Sequence, residues 1–367
     1  MAAVGCARRH GSEEGTSSPP APAAERSAAS VSNDPKLARV SEGKALYERY
    51  CQLCHAPGGT GYAADNAPSL VSRTFLESAS DAFIAHGIRV GRPNTAMGAY
   101  GKARGGPLDD AQIDQLVAYL RSHGPAAKAL PSMPTTGNPK HGAALFDRDC
   151  RTCHGSPTAR GNALLLENPE LLASASTEFL RYAIVHGRPP TPMPAYGGKL
   201  LPSEIEDILA WLKSRTPAAP ASAPVKNPLV PTDLPVVVNP NGGKPSFTLR
   251  EGRFVSAEQV KNALAQKKRM VLVDARAPSD WIQFRIPGAV SLAYYDAEQL
   301  ARIPNDGTWV VAYCACPHHA SGEVVDALRR KNYPNTAILD EGILFWKDRG
   351  YPLVGEAVTP PPKSSAR

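Results

Sequence analysis

A five-residue pattern, Cys-x-x-Cys-His, occurs twice in this chain, at 51–55 and again at 150–154. The pattern is the attachment site of a c-type haem, in which each thiol adds across one vinyl group and the adjacent histidine ligates the iron. The two-residue gap on a turn of helix matches the distance between the vinyl groups. We therefore expect two covalently bound haem c groups. The predicted attachment residues are Cys51, Cys54, Cys150 and Cys153, and the predicted first iron ligands are His55 and His154.

The two patterns lie in an internal repeat. The segments that lead into them, 43–51 and 142–150, align residue by residue, and each copy closes with an amphipathic segment. The apolar residues of the closing segments recur at helical spacing; they are Ile113, Leu116, Val117 and Leu120 in the first copy and Ile205, Ile208, Leu209 and Leu212 in the second. Asp109 and Ser203 are the predicted N-caps. Each copy is thus predicted to be a helix, a haem site, a long loop with a methionine, and a second helix.

The two copies, 35–124 and 138–216, resemble class I cytochrome c domains over nearly their full length. The resemblance rests on the Cys-x-x-Cys-His pattern, on the leading and closing helices, and on a methionine in a loop that contains glycine or proline. It implies an all-α fold and a second iron ligand at Met97 and Met193. A thioether opposite an imidazole favours ferrous iron, and two filled axial positions suit electron transfer.

Several alternatives stay open for these copies. The methionines can be packing residues, and His86 and His186 are competing ligands. Zinc binding by the cysteine pairs would need four ligands from distant parts of the chain. A haem gas sensor would need an open coordination position on the iron. Side chains predicted to pack near the haems are Tyr100, Tyr196 and Trp211.

The sequence pattern changes after a Pro-rich linker at 217–246. Short, β-branched apolar runs alternate with helical patterns, as in an α/β domain with buried parallel strands. The predicted strands are 269–277, 308–314 and 335–340, and the predicted helices are 256–267 and 321–332. This domain covers 247–357 and precedes a disordered tail at 358–367.

The third part resembles a rhodanese domain over its whole length. The residues that carry the resemblance are Asp274, Arg276, the turn at 285–290, the strand that ends at Tyr313 and Cys314, and the segment 339–354 with Gly342 and Trp346. In active members a cysteine begins a loop between a central strand and a helix, where backbone N–H groups and the helix dipole stabilise a thiolate. The resemblance assigns that role to Cys314.

The loop after Cys314 departs from the family pattern. Ala320 stands where an anion-binding arginine is usual, and Arg285 replaces a histidine. A second thiol at Cys316 and the histidine pair 318–319 favour other chemistry: a labile disulfide, a thiol activated by imidazole, or a metal site. Sulfur transfer from thiosulfate, a thiol redox or metal role, and an inactive docking domain therefore all remain open.

Composition and motifs limit the location of the chain. The net charge of +7 is spread along 367 residues, and no basic run suggests nucleic-acid binding. No apolar stretch is long enough to predict a membrane-spanning helix. Because haem c is attached after export, we expect an export signal and a periplasmic location, or the outer face of the cell envelope. The sequence around Cys6 resembles the end of a lipoprotein signal, which predicts a disordered tether over 1–34 with a lipid anchor on that cysteine.

These features predict two all-α cytochrome c domains followed by an α/β rhodanese-like domain with a central parallel sheet. The expected function is one-electron transfer through two haems, coupled to sulfur chemistry at a reactive Cys314, with Cys316 as a second reactive thiol. Redox proteins are the expected partners, together with a small sulfur-containing substrate. The alternative is a pure electron carrier whose rhodanese-like domain is inactive and serves for docking.

Overall fold

The computed structural model describes residues 34–216, 229–231, 233–315 and 318–358. Two helical domains are followed by an α/β domain, so the predicted fold class is confirmed. Cys6, Cys316, most of the predicted tether and tail, and residues 217–228 and 232 of the predicted linker lie outside the described residues. Among the helices of the described ranges, none has the length and apolar character needed to span a membrane.

The two helical domains repeat one order of elements. In the first domain the helices are α1 Pro35–Tyr50, α2 Gln52–His55, α3 Arg73–Ser78, α4 Asp81–Val90 and α5 Asp110–Arg121. In the second they are α6 Pro139–Asp149, α7 Arg151–His154, α8 Pro169–Ser174, α9 Thr177–His186 and α10 Pro202–Ser214. The predicted long loops therefore contain two further helices in each copy. These helices have only six and ten residues and each starts at a side-chain cap, such as Ser72 on α3 and Ser176 on α9.

The leading and closing helices of each copy cross at a glycine. A Cβ on Gly43 would run into the backbone of Gln115, and a Cβ on Gly142 would run into the backbone of Asp207. Glycine thus lets the two helix backbones approach closely. All eight apolar residues predicted to form the inner faces of α5 and α10 are buried against this crossing.

The predicted N-cap is correct for α5 and wrong for α10. Asp109 accepts a hydrogen bond from the Gln112 N–H in a capping box. In the second copy the helix begins at Pro202, and the N-cap position belongs to Leu201 rather than Ser203. Proline is favoured at the first helical position because its φ is already helical and it has no N–H to satisfy.

The α/β domain is a single sheet covered by helices on both faces. Its elements are β1 Val237–Val238, β2 Phe254–Val255, α11 Ala257–Ala265, β3 Met270–Asp274, α12 Pro278–Gln283, β4 Val290–Ser291, β5 Trp309–Tyr313, α13 His319–Arg330, β6 Thr336–Leu339 and α14 Gly342–Asp348. The strand order is β1-β3-β5-β6-β2, with β4 paired to β3. The central pairs β3–β5 and β5–β6 are parallel. Every residue of β3 is buried, which accounts for its unbroken apolar sequence.

Strand β1 corrects the predicted linker. Val237 lies within the segment 217–246 predicted as a linker, yet it pairs with Val271 in an antiparallel ladder at the sheet edge. A strand of two residues beside prolines has too few alternating positions to be recognised from sequence. The α/β domain therefore includes residues before 247.

The two helical domains pack on each other through α3, α4, α8 and α9. The rings of Phe83 and Phe179 lie 4.6 Å apart at the centre of this contact. At its edge the hydroxyl of Tyr182 donates a hydrogen bond of 2.6 Å to the carboxylate of Glu77. That bond, followed by the contact with Arg73, lowers the pKa of Glu77 to about 2.

Candidate haem sites and a buried cysteine

Both histidines of the Cys-x-x-Cys-His patterns are oriented by a backbone carbonyl. The Nδ1 atom of His55 lies 2.8 Å from the carbonyl oxygen of Pro68, and that of His154 lies 2.7 Å from the carbonyl oxygen of Leu164. A carbonyl only accepts, so Nδ1 carries the hydrogen and Nε2 keeps its lone pair. Burial lowers the pKa of both imidazoles and keeps them neutral. A neutral imidazole with a free Nε2 lone pair is what an iron ligand requires.

The cysteines are presented from one turn of helix beside each histidine. The short helix α2 follows Cys51, and the N–H of His55 donates to the Cys51 carbonyl oxygen at 2.9 Å. Helix α7 repeats the arrangement, with the His154 N–H 2.9 Å from the Cys150 carbonyl oxygen. Burial is the main cause that raises the pKa of Cys51 to about 12, so this thiol is neutral before attachment.

The predicted methionine ligands occupy the same turn in the two copies. The N–H of Arg92 donates to the carbonyl oxygen of Met97 at 2.7 Å, and that of Arg188 donates to Met193 at 3.0 Å. Both methionines are half-buried. Paired thiols, a neutral imidazole and a loop methionine together fit a covalently attached, six-coordinate haem c.

The competing histidines make other contacts. The Nε2 atom of His86 lies 2.7 Å from the carboxylate of Glu170 in the second domain. His186 is exposed and its ring lies 4.2 Å from the ring of Tyr182. His86 thus takes part in the contact between the helical domains, whereas His186 contacts a residue of its own helix. Within the described ranges, no three His, Cys, Asp or Glu residues are grouped to hold a metal ion.

The side chains predicted to pack near the haems are found beside the attachment turns. Tyr196 donates a hydrogen bond from its hydroxyl to the Asp149 carbonyl oxygen at 3.0 Å, one residue before Cys150. Trp211 stacks on Phe146 with the ring centroids 4.3 Å apart. Tyr100 lines a cavity with Cys54 in the first domain.

Cys314 lies directly after β5, as predicted, and is 3 % exposed. Its Sγ atom lies 3.2 Å from the Oγ of Ser321 on α13. His318 adopts a left-handed φ of 92° and its Nε2 lies 2.9 Å from Asp340 Oδ1. This imidazole is therefore held by a carboxylate. Because Cys316 lies outside the described residues, the predicted disulfide and metal roles of the two thiols stay predictions.

The structure brings Cys314 against the first haem site. Cys54 of the first helical domain and Cys314 of the α/β domain line the same cavity at the contact between the two domains. The polar part of the cavity wall comes from both domains: Asp65 and Tyr100 from the first helical domain, and Arg276 and Asp280 from the α/β domain. Small side chains form much of the rest of the wall. Neither cysteine's own motif predicts this contact, because the two cysteines belong to separate domains joined by a Pro-rich segment.

Specific hydrogen bonds hold the α/β domain over the first haem site. The hydroxyl of Tyr294 donates to the carbonyl oxygen of Tyr50 at 2.8 Å, and that of Ser279 donates to the carbonyl oxygen of Ala99 at 2.6 Å. The contact is tight beside the ligand loop, where a Cβ on Gly98 would lie 2.5 Å from the Oδ2 atom of Asp280. The second copy has Pro194 at the equivalent position, and this difference is the sequence signal that the prediction missed.

Among the described residues, none covers the second candidate haem site in this way. Ala99 is 2 % exposed, whereas the equivalent Ala195 is exposed to solvent. Cys153 is likewise exposed, whereas Cys54 is partly buried. The two copies therefore present one enclosed and one open candidate haem site.

Comparison with known proteins agrees with this division of the chain. The family model described as cytochrome c oxidase, cbb3-type, subunit III matches residues 38–120 and 137–212. The rhodanese-like domain model matches residues 256–349.

Relatives of known name match the helical half. The cbb3-type cytochrome c oxidase subunit FixP of Azorhizobium caulinodans is 30% identical over 192 residues, which are 50% of this chain and 62% of that protein. The cytochrome bc1 complex cytochrome c subunit of Mycobacterium tuberculosis is 28% identical over 200 residues, 51% of this chain and 68% of that protein. The chain thus spans about two thirds of the length of these relatives.

A solved rhodanese-like domain from an Anabaena species covers 32% of this chain and 89% of its own length, with 21% identity and a TM-score of 0.28. The match to a cytochrome c family model implies covalently bound haem c. The chain joins two segments that match the cbb3-type subunit III model, and are thus cytochrome c domains, to a C-terminal rhodanese-like domain.

Proposed function

We propose that this protein is a dihaem electron carrier that exchanges electrons with a sulfur species held on Cys314. The observation that carries the proposal is the cavity that Cys314 shares with the haem-attaching Cys54. A thioether bond to Cys54 would place the edge of the first haem at that cavity. Only this cavity would then separate a sulfur atom bound to Cys314 from the edge of the first haem.

Each cytochrome domain supplies the residues for one haem c, which would act as a one-electron carrier. His55 and Met97 would hold the haem iron in the first domain, and His154 and Met193 would hold it in the second. A haem held by two such ligands would supply one-electron transfer rather than a substrate site on the iron. The Pro68 and Leu164 carbonyls orient the two histidine rings for this role.

The residues around Cys314 suit a reactive thiol. Cys314 lies at the carboxyl end of a parallel strand, the usual place for a functional side chain in such a sheet. Helix α13 begins five residues later, and its N-terminal end favours a negative charge on the thiol. Ser321 Oγ, at 3.2 Å, gives the sulfur a hydrogen-bond partner in a buried setting.

The physiological partners are proposed to be redox proteins that meet the second domain. The names of two relatives support this, since FixP is a subunit of a cbb3-type cytochrome c oxidase and the other relative is the cytochrome c subunit of a bc1 complex. The first haem site is covered by the rhodanese-like domain, whereas Cys153 and Ala195 at the second site are exposed. An external donor or acceptor therefore reaches the second site more directly.

We further propose that the protein works outside the cytoplasm, in the periplasm or on the outer face of the envelope. The support is chemical, since c-type haem is attached after export. Cys6, the predicted lipid anchor, would hold the chain at a membrane surface. Mass spectrometry of the N-terminal peptide from native cells tests the anchor, and an unmodified Cys6 would refute it.

A second candidate function is electron carriage alone, with the rhodanese-like domain as a docking module. Ala320 favours it, because this residue lines the cavity at the place where active relatives have an anion-binding arginine. In this case Cys314 would have no chemical role, and the cavity would be a by-product of domain packing.

One experiment separates the two candidates. Oxidised, full-length holoprotein and its Cys314→Ser variant are mixed with sulfide, thiosulfate, polysulfide or a dithiol, and haem reduction is followed by absorbance. The proposal predicts that the variant loses reduction by the sulfur donor while ascorbate still reduces its haems. An unchanged rate with every sulfur donor would sink the proposal and leave the docking module.

A further inference from the structure

The cavity between Cys54 and Cys314 carries more negative than free positive charge. Asp65 enters it from the first cytochrome domain and Asp280 from the rhodanese-like domain. The side chain of Asp65 is 12% exposed and lies 4.0 Å from the Nδ1 atom of His319. Asp280 is packed against the Met97 loop, within 2.5 Å of the place that a Cβ on Gly98 would take. Both carboxylates therefore face any anion that enters.

The guanidinium that lines the cavity is already neutralised. Arg276 donates from Nε to Asp274 Oδ1 at 2.9 Å and from Nη2 to Asp274 Oδ2 at 2.6 Å. Its Nη2 also donates to the Phe284 carbonyl oxygen at 2.6 Å. This pair is buried on both sides and cannot turn towards a ligand without leaving Asp274 uncompensated.

Binding of a dianion needs a free positive charge, which the described wall of this cavity lacks. A sulfonate or thiosulfate group is best held by a planar guanidinium fork. At the described cavity wall, Ala320 occupies the position expected for such an arginine. The neighbouring His319 lies beside the carboxylate of Asp65. Placing two negative charges between Asp65 and Asp280 is disfavoured by like-charge repulsion. A neutral molecule or a small monoanion avoids most of this penalty.

We infer that the sulfur substrate of Cys314 is sulfide rather than thiosulfate; the inference rests on the function proposed above. Sulfide carries at most one negative charge near neutral pH and needs no sulfonate site. Its small size also suits a cavity whose remaining wall includes Ala96, Gly98, Ala315 and Ala320.

The reaction balances with the two haems of the chain. An S–S bond forms between Cys314 Sγ and the sulfide sulfur, and one S–H bond breaks on each partner. The product is a persulfide on Cys314, two protons pass to water, and two electrons are released. The electrons go singly to the two ferric haem c groups, so one persulfide corresponds to two reduced haems.

The test compares the two donors on oxidised, full-length holoprotein above pH 7. Sulfide also reduces haem directly, so the rate with Cys314→Ser is subtracted for each donor. A second readout is independent of the haem spectrum: Cys314 is trapped by alkylation, and its peptide is examined by mass spectrometry for one added sulfur atom. We expect the Cys314-dependent rate to be at least about tenfold higher with sulfide than with thiosulfate, in keeping with like-charge exclusion. We also expect a sulfide-dependent persulfide on Cys314.

Removal of the carboxylate charges tests whether repulsion by Asp65 and Asp280 causes the preference for sulfide over thiosulfate. Asp65→Asn and Asp280→Asn should each raise the thiosulfate rate relative to the sulfide rate. Glu298→Gln also replaces a carboxylate by an amide, at an exposed position of the rhodanese-like domain, and should leave the ratio of the thiosulfate rate to the sulfide rate unchanged. Asp65→Asn keeps the test valid if Asp280→Asn fails to fold.

The outcomes distinguish failure of the sulfide assignment from failure of the proposed function. Cys314-dependent reduction that is as fast or faster with thiosulfate would overturn the choice of sulfide but preserve the proposed function. Absence of Cys314-dependent reduction with both donors, and of any persulfide, would overturn the proposed function itself.

Discussion

The hydroxyl of Tyr294 donates a 2.8 Å hydrogen bond to the backbone carbonyl oxygen of Tyr50, a residue 244 positions earlier in the chain. Tyr50 directly precedes the haem-attaching Cys51, and its ring lies 4.8 Å from that of Tyr295. The rhodanese-like domain is therefore fastened to the attachment turn itself.

Replacement of Tyr294 by phenylalanine should weaken this contact. The carbonyl of Tyr50 loses its side-chain donor, and we expect a cost of about 0.5–1.5 kcal/mol in the equilibrium between docked and undocked domains. Hydrogen exchange of the amides at 50–55 should become faster. Tyr333→Phe is the control, because its hydroxyl donates to Ile303 at 2.7 Å within the rhodanese-like domain. Equal exchange in both variants would contradict the interface role.

Gly98→Ala should separate the rhodanese-like domain from the first cytochrome domain. The added Cβ meets the Asp280 carboxylate at 2.5 Å, and this neighbour is fixed on a short helix. We expect faster alkylation of Cys314, which the docked arrangement buries. Pro194→Ala at the equivalent, exposed position of the second domain should leave the alkylation rate as it is. A slow rate in both variants would show that the contact tolerates the methyl group.

Glu77 should make the contact between the cytochrome domains sensitive to acid. Hydrogen bonds, first from Tyr182 and then from Arg73, lower its pKa from 4.5 to about 2. A depressed carboxylate pKa gives stability that is present above the unfolded value and is lost as the pH falls through the folded value. Glu77 therefore adds stability above pH 4.5, and this contribution disappears between pH 4.5 and about 2.

Glu77→Gln checks this assignment. We expect a lower Tm at neutral pH and a smaller decline in Tm between pH 4.5 and 2 than in the unchanged protein, measured by calorimetry. Glu298→Gln should retain the full decline. If Glu77→Gln and the unchanged protein decline in parallel, Glu77 is not the titrating group.

The glycines at the helix crossings should resist substitution. Gly43→Ala and Gly142→Ala each place a methyl group against the backbone of the facing helix, and overpacking of this kind costs about 1–3 kcal/mol. Gly198→Ala has open space around the new Cβ and should change stability by less than about 0.5 kcal/mol. Denaturant unfolding of the three variants measures the difference, and equal midpoints would argue against close helix approach.

Met97→Ala and Met193→Ala should each remove about half of the ferric methionine–iron absorption band, since each leaves one His/Met haem intact. His86→Ala and His186→Ala should keep the whole band, because these imidazoles contact Glu170 and Tyr182. Spectra of the oxidised proteins decide the matter. Loss of the band in His86→Ala would instead favour histidine as the second ligand.

Local signals in the sequence predicted the fold class and the secondary structure on which the candidate site residues lie. The Cys-x-x-Cys-His patterns fall on single helical turns, and Cys314 follows a strand whose apolar run reflects burial on both faces. These features depend on neighbouring residues, so a short window of sequence contains them. Helices α3 and α8 were missed because six residues make fewer than two helical turns, which is too short for a recurring apolar pattern to be recognised.

The part of the candidate site that the sequence did not predict depends on contacts between residues far apart in the chain. The approach of Cys314 to Cys54 depends on Tyr294, Ser279 and Asp280 meeting a surface that lies about half the chain away. None of these residues forms a motif. A comparison of the two repeats is the available signal, since the covered loop has Gly98 where the open one has Pro194.

The unequal covering of the two haem sites also has a consequence for how the protein is assembled. If haem c attaches to Cys54 as proposed, it has to reach that thiol before the rhodanese-like domain closes over it, whereas the exposed Cys153 stays accessible throughout. Synthesis from the N-terminus delivers the first cytochrome domain well before residue 247, so the order of the domains along the chain provides the necessary interval. A chain with the rhodanese-like domain placed first would enclose Cys54 too early, and its maturation would stall at one haem.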